Sequence, residues 1–312
     1  MKIETIDIKC FYCGENNSSN ISLVKDYCLE TCNNLFQYVQ CKICQNIYLK
    51  NRPLLKYLNK IYPQNYSTYD YEKYLGIFVN FFRNKFQEKK IKIINSHLKD
   101  DDIVIDIGSG GGDFLKIFRK LSKKKLIFYG LDFSDHAYRA LLKNNINPIK
   151  KRFEDLDEND FSEVGAITMF QMIEHVDDPL KNIKKTLKIL RKGGIFVIET
   201  PNINSWDYKI FKDNFWAGWH APRHWNILEN KFLVKILKEE KFEIVSNACI
   251  ANPYAWLHSF QYLLKYKYKL ESISKIFDVN NFLMLTFFTL LDIFQIGLTN
   301  NSSNTQIIAK KV

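Results

Sequence analysis

The sequence predicts an α/β protein: a doubly wound parallel sheet with helices on both faces, preceded by a small cysteine-rich segment. Three observations predict it. From Ile103 onward, short apolar runs alternate with amphipathic helical patterns. The first run, Ile103-Val104-Ile105-Asp106-Ile107, stops at Gly108-Ser109-Gly110-Gly111-Gly112, and an amphipathic segment begins at Asp113, the order of a strand, a tight turn and a helix. Near the N-terminus stand two C-x2-C pairs, Cys10 with Cys13 and Cys41 with Cys44.

With 312 residues the chain can form one large domain, or one domain with a small appendage. An apolar content of 46% is enough for a buried core. The net charge of +11 would suit an acidic partner such as nucleic acid or an anionic membrane. The basic residues are mostly scattered lysines, however, a pattern that biased genome composition also produces. The first residues lack the apolar core of a signal peptide. Seven cysteines without an export signal point to a reducing cytoplasm, where paired cysteines bind metal more often than they form disulfides.

In chain order, residues 1–50 read as a zinc-ribbon-like segment. Its two C-x2-C pairs, about 27 residues apart, suit two knuckle turns that present four thiolates to a tetrahedral, closed, structural Zn2+. Gly14 suits the first knuckle, whereas Gln45 takes the equivalent place in the second. Cys28 and Cys32 are either alternative ligands or plain thiols. So short a segment buries little core, and metal would supply the missing stability. Residues 51–75, with Pro53, Pro63 and a tyrosine-rich run, read as a linker to a domain over 76–312. Apolar residues at helical spacing from Tyr74 to Leu98 (Ile77, Phe78, Phe81, Phe82, Phe86, Ile91, Ile94, Leu98) predict one or two helices.

Strands are expected near 103–108, 126–132, 147–152, 164–170, 194–200, 242–250 and 305–311, and helices over 113–122, 134–144, 179–191 and 229–240. The helix at 179 has Asp177-Asp178 before Pro179, a stripe of Leu180, Ile183, Leu187 and Leu190, and Gly193-Gly194 to end it. A long insertion, about 251–304, contains an apolar run from Phe282 to Phe294 with Asp292 inside it. It is short for a membrane span and is expected to be an apolar helix packed on the domain. Peripheral membrane contact through 282–296, or a dimer interface, is the alternative.

The ligand of the glycine turn follows from charge. A dinucleotide-binding turn places a glycine where this chain has Asp113, and a carboxylate there would repel a pyrophosphate at the helix N-terminus. The turn suits a ligand without phosphate. Asp106-x-Gly108-x-Gly110-x-Gly112 resembles the first motif of class I S-adenosylmethionine-dependent methyltransferases, with Ser109 where Cys or Thr is more usual. The resemblance extends over residues 70–312. Gly130-Leu131-Asp132-Phe133-Ser134, Phe153-Glu154-Asp155, Phe170-Gln171-Met172-Ile173-Glu174-His175-Val176 and Glu199-Thr200-Pro201-Asn202 resemble the later motifs, in order.

The resemblance implies a Rossmann-like seven-stranded sheet whose last strand runs antiparallel. It implies that Asp106, Gly108, Ser109, Gly110, Gly112, Asp132, Phe133, Glu154, Asp155 and Gln171 hold S-adenosylmethionine. Asp132 is placed to accept from both ribose hydroxyls, and it could equally cap the helix that starts at Ser134. Glu154 and Asp155 could equally be surface acids.

Four of the five tryptophans fall between Trp206 and Trp225. In such sheets ligands bind beyond the carboxyl ends of the strands, where this loop emerges. Trp216, Trp219, Arg223 and His224 are therefore expected to bind the acceptor. Trp216-Ala217-Gly218-Trp219-His220-Ala221-Pro222-Arg223-His224 is similar to a Trp-Gly-x-x-x-Pro-Arg-His stretch of ubiquinone O-methyltransferase-like bacterial enzymes, a resemblance that implies a small-molecule or glycan-precursor acceptor. Methyl transfer to oxygen needs a base, and His175 and His224 are the candidates, with His220 beside them. The rivals are an RNA-modifying methyltransferase, favoured by the basic charge, and a catalytically silent cofactor-binding subunit of a biosynthetic complex. Cytoplasmic location is expected, with membrane association as the variant of it.

Overall fold

The computed structural model describes residues 1–63 and 77–312. Residues 64–75 of the expected linker, with its tyrosine-rich run, lie outside the described residues. So do the side chains of Ile77, Phe78, Phe82 and Phe86.

The N-terminal segment contains β1 (Thr5–Asp7), β2 (Ser18–Val24), β3 (Phe36–Cys41), β4 (Ile47–Leu49) and β5 (Asn51–Pro53), followed by the single turn α1 (Leu58–Ile61). Residues 51–61, expected to open a linker, thus carry a strand that pairs with β1 and a turn that buries Ile61. Next come α2 (Ile77–Ser96), β6 (Ile103–Ile107), α3 (Asp113–Leu121), β7 (Ile127–Leu131), α4 (Asp135–Lys143), β8 (Asn147–Ile149) and β9 (Val164–Phe170). Then follow α5 (Pro179–Ile189), β10 (Leu190–Pro201), α6 (Trp206–Phe211), β11 (Asn226–Ile227), α7 (Asn230–Glu239) and β12 (Phe242–Ile250). The insertion holds α8 (Pro253–Tyr262), α9 (Glu271–Ser274) and α10 (Phe282–Thr299), and β13 (Asn304–Lys311) follows it.

Seven strands form the main sheet in the order β12-β13-β10-β9-β6-β7-β8. All run parallel except β13, which pairs antiparallel with both β10 and β12. Alternate residues of each strand face opposite sides. Ile105, Ile167 and Ile198 join α5 and α7 in one core. Val104, Ala166 and Val197 join α2 and α3 in the other. Helices therefore cover both faces, which is why these strands read as continuous apolar runs.

One expected boundary moves. Gly193-Gly194 does not end α5; that helix stops at Ile189, and the pair lies inside β10. Gly193 has φ +73°, and the register against β9 shifts between Leu190 and Ile195, so the glycines form a bulge.

The N-terminal segment does not stand on a core of its own. Its sheet, β11-β4-β3-β2, is completed by β11 from the tryptophan-rich loop. Val24, Phe36, Tyr38, Ile47 and Leu49 share one buried cluster with Trp216, Trp219, Trp225 and Trp256. The expectation that metal must supply what so small a segment cannot bury is corrected to that extent, because the segment borrows its core from the larger sheet's loops.

The apolar helix of the insertion also differs from expectation. α10 packs along one stripe only, with Phe288, Asp292 and Gln295 buried, and leaves an apolar stripe exposed.

Candidate functional site: the glycine turn and a histidine cluster

The turn after β6 is left-handed at Gly108, Gly110 and Gly112. At Gly108 a Cβ would lie 2.7 Å from Met172 Sδ, and at Gly112 2.7 Å from Ile146, so neither position accepts a side chain. Gly108 N and Ser109 N donate to Leu131 O, which ties the turn to the end of β7. Asp113 opens α3 and pairs with Lys116.

Asp132 follows β7 and is buried; its Oδ1 accepts from Ser134 N at 2.9 Å. Burial raises its pKa, against the amides of Ser134 and Gly110, which lower it. Ser134 itself caps α4, accepting from Ala137 N. Asp132 thus steadies the turn into α4 and lies against the glycine turn at Gly110. Asp106 is buried at the end of β6, accepts from Thr168 Oγ1 at 2.6 Å, and is pushed up by burial to about 7. Behind it Lys90 pairs with Glu199 at 2.5 Å, and Gln306 Nε2 donates to the same carboxylate. Ser109 Oγ and Gln171 Nε2 are buried polar atoms without a hydrogen-bond partner. Gln171, at the end of β9, is held left-handed at φ +53°. Two orphaned polar atoms beside a cradle of glycines and a buried carboxylate fit a nucleoside ligand that brings its own donors and acceptors. Phe133 lies beside Asp132, its ring 5.5 Å from that of Tyr62.

Glu154 is occupied elsewhere. It accepts from Asp177 N at 3.0 Å and pairs with Arg152 at 2.9 Å. Its neighbour Asp155 is exposed.

His175 follows β9. Its Nδ1 lies 3.0 Å from Arg223 O and 2.8 Å from Tyr62 Oη. A carbonyl only accepts, so Nδ1 carries the hydrogen and Nε2 keeps the lone pair. Burial lowers the pKa of His175 to about 4, although the Arg223 and Gln171 carbonyls favour the charged ring. His224 Nδ1 donates to Gly218 O at 2.8 Å by the same reasoning. Its ring meets that of His175 edge-on at 4.6 Å, and its Nε2 lies 3.9 Å from Glu174 Oε1. Burial holds His224 well below its ordinary pKa and pushes Glu174 up to about 8. Burial thus favours the uncharged form of both imidazoles and of the Glu174 carboxyl.

The expected acceptor wall is mostly sequestered. Trp216 and Trp219 are buried, their indole N–H groups donating to Asp207 Oδ2 (2.6 Å) and Lys212 O (2.9 Å). Arg223 is fully buried. It pairs with Asp26 at 2.5 Å, reaches Ile61 O at 3.0 Å, and donates from Nε to His220 Nε2 at 3.0 Å. With its donors spent on Asp26, Ile61 and His220, Arg223 positions the loop rather than gripping an acceptor. His224 faces Glu174 inside the protein. In this structure the four residues, expected to bind the acceptor, are buried and engaged with other parts of the protein.

Residues that the sequence did not single out complete the site: Tyr62, Asp26, Lys90 and Glu199. Only Glu199 carried a signal, lying in a motif-like stretch.

Cys10, Cys13, Cys41 and Cys44 converge, with Sγ separations of 3.4 Å (10–44), 3.5 Å (13–41) and 3.6 Å (13–44). Cys28 and Cys32 lie outside this group.

A glycine cradle, a buried acid after the second strand of the sheet, and this strand order define the class I S-adenosylmethionine-dependent methyltransferase fold. A model of the methyltransferase domain family matches residues 78–247, more than half of the chain, and the protein belongs to that family. It is 29% identical over 141 residues to the mitochondrial ubiquinone biosynthesis O-methyltransferase of Candida albicans, covering 41% of this chain and 42% of that one. It is 31% identical over 134 residues to the ubiquinone biosynthesis O-methyltransferase of Coxiella burnetii, covering 40% of this chain and 52% of the relative. The chain thus spans about half the length of these curated relatives. Among solved structures, a methyltransferase of Thermotoga maritima described as a possible histamine N-methyltransferase is 15% identical, with a TM-score of 0.49, over 81% of this chain and 98% of its own.

Proposed function

We propose that this protein transfers the methyl group of S-adenosylmethionine to a hydroxyl oxygen of a small molecule or glycan precursor. The observation that carries the reading is His175: uncharged, tautomer fixed by Arg223 O, and linked through Tyr62 to Phe133 beside the cofactor turn. The ubiquinone O-methyltransferase relatives support oxygen as the acceptor atom.

When bound, S-adenosylmethionine supplies a methyl already activated on a sulfonium, so the chain need only hold, align and manage one proton. Asp132 would accept from the ribose hydroxyls. Ser109 Oγ and Gln171 Nε2 would find in the ligand the partners they lack. His175 Nε2 would take the acceptor's hydroxyl proton while the methyl–sulfur bond of the sulfonium gives way to a methyl–oxygen bond, the neutral thioether leaving. The Gln171 and Arg223 carbonyls favour the charged ring that results. In the same reading the four thiols hold a structural Zn2+: separations of 3.4–3.6 Å approach the edge of about 3.8 Å that a tetrahedron with 2.3 Å Zn–S bonds requires.

The test is incubation with methyl-labelled cofactor and extract of the source cell, followed by identification of the labelled species. A labelled small molecule or glycan precursor carrying a new O-methyl group supports the reading. Label in RNA, or tight cofactor binding with no label transferred to any fraction, overturns it in favour of one or the other rival.

A further inference from the structure

Helix α10 inverts the usual surface-helix pattern. Its inward stripe carries Asp292 and Gln295, and its outward stripe is mostly apolar and uncharged. Asp292 is buried and accepts from Asn252 N at 2.7 Å, Trp256 Nε1 at 2.9 Å and Ser303 Oγ at 3.0 Å. Gln295, one turn on, is buried too. Facing outward at helical spacing are Leu283 (74% exposed), Phe287, Leu290, Ile293, Phe294 and Leu298 (62% exposed). Asp292 is the helix's one charged residue, so the exposed side has none.

The elements beside α10 extend this surface. Trp206 of α6 touches Phe294, and Ile210 on the same short helix is exposed. Phe277 packs on Phe288, placing the segment of 263–277 on the other flank, where Tyr268, Leu270, Ile273 and Ile276 are exposed. Exposed charges on these flanks are Lys209, Lys212, Lys267, Lys269 and Lys275, against Asp213, Glu271 and Asp278. The balance is positive, as it is for the whole chain.

We propose that this face docks on an anionic bilayer, with α10 lying in the plane of the lipid headgroups. A soluble helix exposes charge on its outer side and an interfacial one exposes apolar groups, and α10 does the second. The helix does not cross: Asp292 fastens its middle to the domain, and β13, a strand of the main sheet, begins at Asn304 just beyond its end. A second copy is the poorer occupant, because a twofold contact would set the lysine-rich flanks of one subunit near those of the other. An anionic surface meets both the apolar stripe and the lysines.

The test is co-sedimentation of the full chain with vesicles of phosphatidylcholine alone and with about a third phosphatidylglycerol. The variant carries Leu283→Glu and Leu290→Glu, both on the exposed stripe, and its fold is checked by circular dichroism and cofactor binding. Binding to the anionic vesicles, weaker to neutral ones and reduced at least about tenfold in the variant, is expected. Three results overturn the proposal: no sedimentation with anionic vesicles, equal binding by the folded variant, or a wild-type dimer in sedimentation velocity that the variant converts to monomer. The last would assign the face to a second copy.

Discussion

Replacing Asp26 with asparagine tests whether the N-terminal segment and the methyltransferase sheet form one cooperative unit. Asp26 and Arg223 are both fully buried and meet at 2.5 Å, across 197 residues of sequence. Asp26 also accepts from Leu29 N, Thr31 N and Thr31 Oγ1, so its lone pairs are taken up in the folded state. The amide would keep the shape but leave the guanidinium buried without a counter-charge. Breaking one side of a buried pair costs about 3–5 kcal/mol. With a urea m-value of roughly 3 kcal/mol/M for a chain of this size, the midpoint should fall by about 1–1.7 M. The tryptophans report on the event, since Trp216, Trp219 and Trp225 lie in the shared cluster. A companion variant, Arg223→Met, removes the orphaned charge, so the double variant should recover part of the loss. Urea titrations followed by fluorescence and by far-ultraviolet circular dichroism should shift together. The reasoning fails if Asp26→Asn moves the midpoint by less than about 0.2 M. It fails equally if the two probes separate, with the sheet unfolding at the wild-type midpoint.

Other outcomes follow from the site. Asp132→Ala should weaken S-adenosylhomocysteine binding by about 10–100-fold in calorimetry, since hydrogen bonds to a charged group are worth about 1.5–3 kcal/mol; unchanged affinity would remove Asp132 from the cofactor. His175→Gln should cut the methyl-transfer rate by about 10²–10⁴-fold while leaving cofactor affinity near wild type, and an unchanged rate would rule out His175 as the base. Glu174 has a folded pKa raised from 4.5 to about 8, so folding takes up a proton between those values. Stability should therefore fall as pH rises from about 5 to 8, and Glu174→Gln should flatten that slope in denaturation curves taken across this range. Extraction of zinc by a strong chelator should lower the melting temperature, with one metal per chain found by elemental analysis; a metal-free preparation of equal stability would count against the four-thiol site.

The main sheet was legible because its strands are buried on both faces. Ile103–Ile107, Val164–Phe170 and the stretch Ile195–Ile198 within β10 are nearly unbroken apolar runs, and each helix between them carries a readable stripe or cap, such as Asp178 accepting from Lys181 N ahead of Pro179. The glycine turn was legible because only glycine fits where Met172 and Ile146 press on the backbone. The packing of the tryptophan-rich loop was not legible, for a physical reason. Tryptophan lines pockets and fills cores with equal chemical logic, and sequence does not say which surface will cover it. Here the cover is the N-terminal sheet, through Tyr38, whose hydroxyl sits against the carbonyls of Trp219 and His224. Tyr62 carried no local pattern at all; its role arises from contacts to Phe133 and His175 that are remote in sequence.

The shared sheet β11-β4-β3-β2 also sets the order in which the molecule can assemble. During synthesis β2, β3 and β4 emerge early, yet the strand that pairs with the outer edge of β4 is Asn226–Ile227. Until that distant strand arrives, β4 presents an open edge, and Tyr38 and Asp26 lack the partners that cover them. Contacts of such long sequence separation slow folding and prolong the time an unpaired edge is available to neighbouring chains. The four thiols lie wholly within the early part of the chain and can converge without the later loop. Their convergence offers a local clip that holds the half-built sheet in register while the rest of the chain is made.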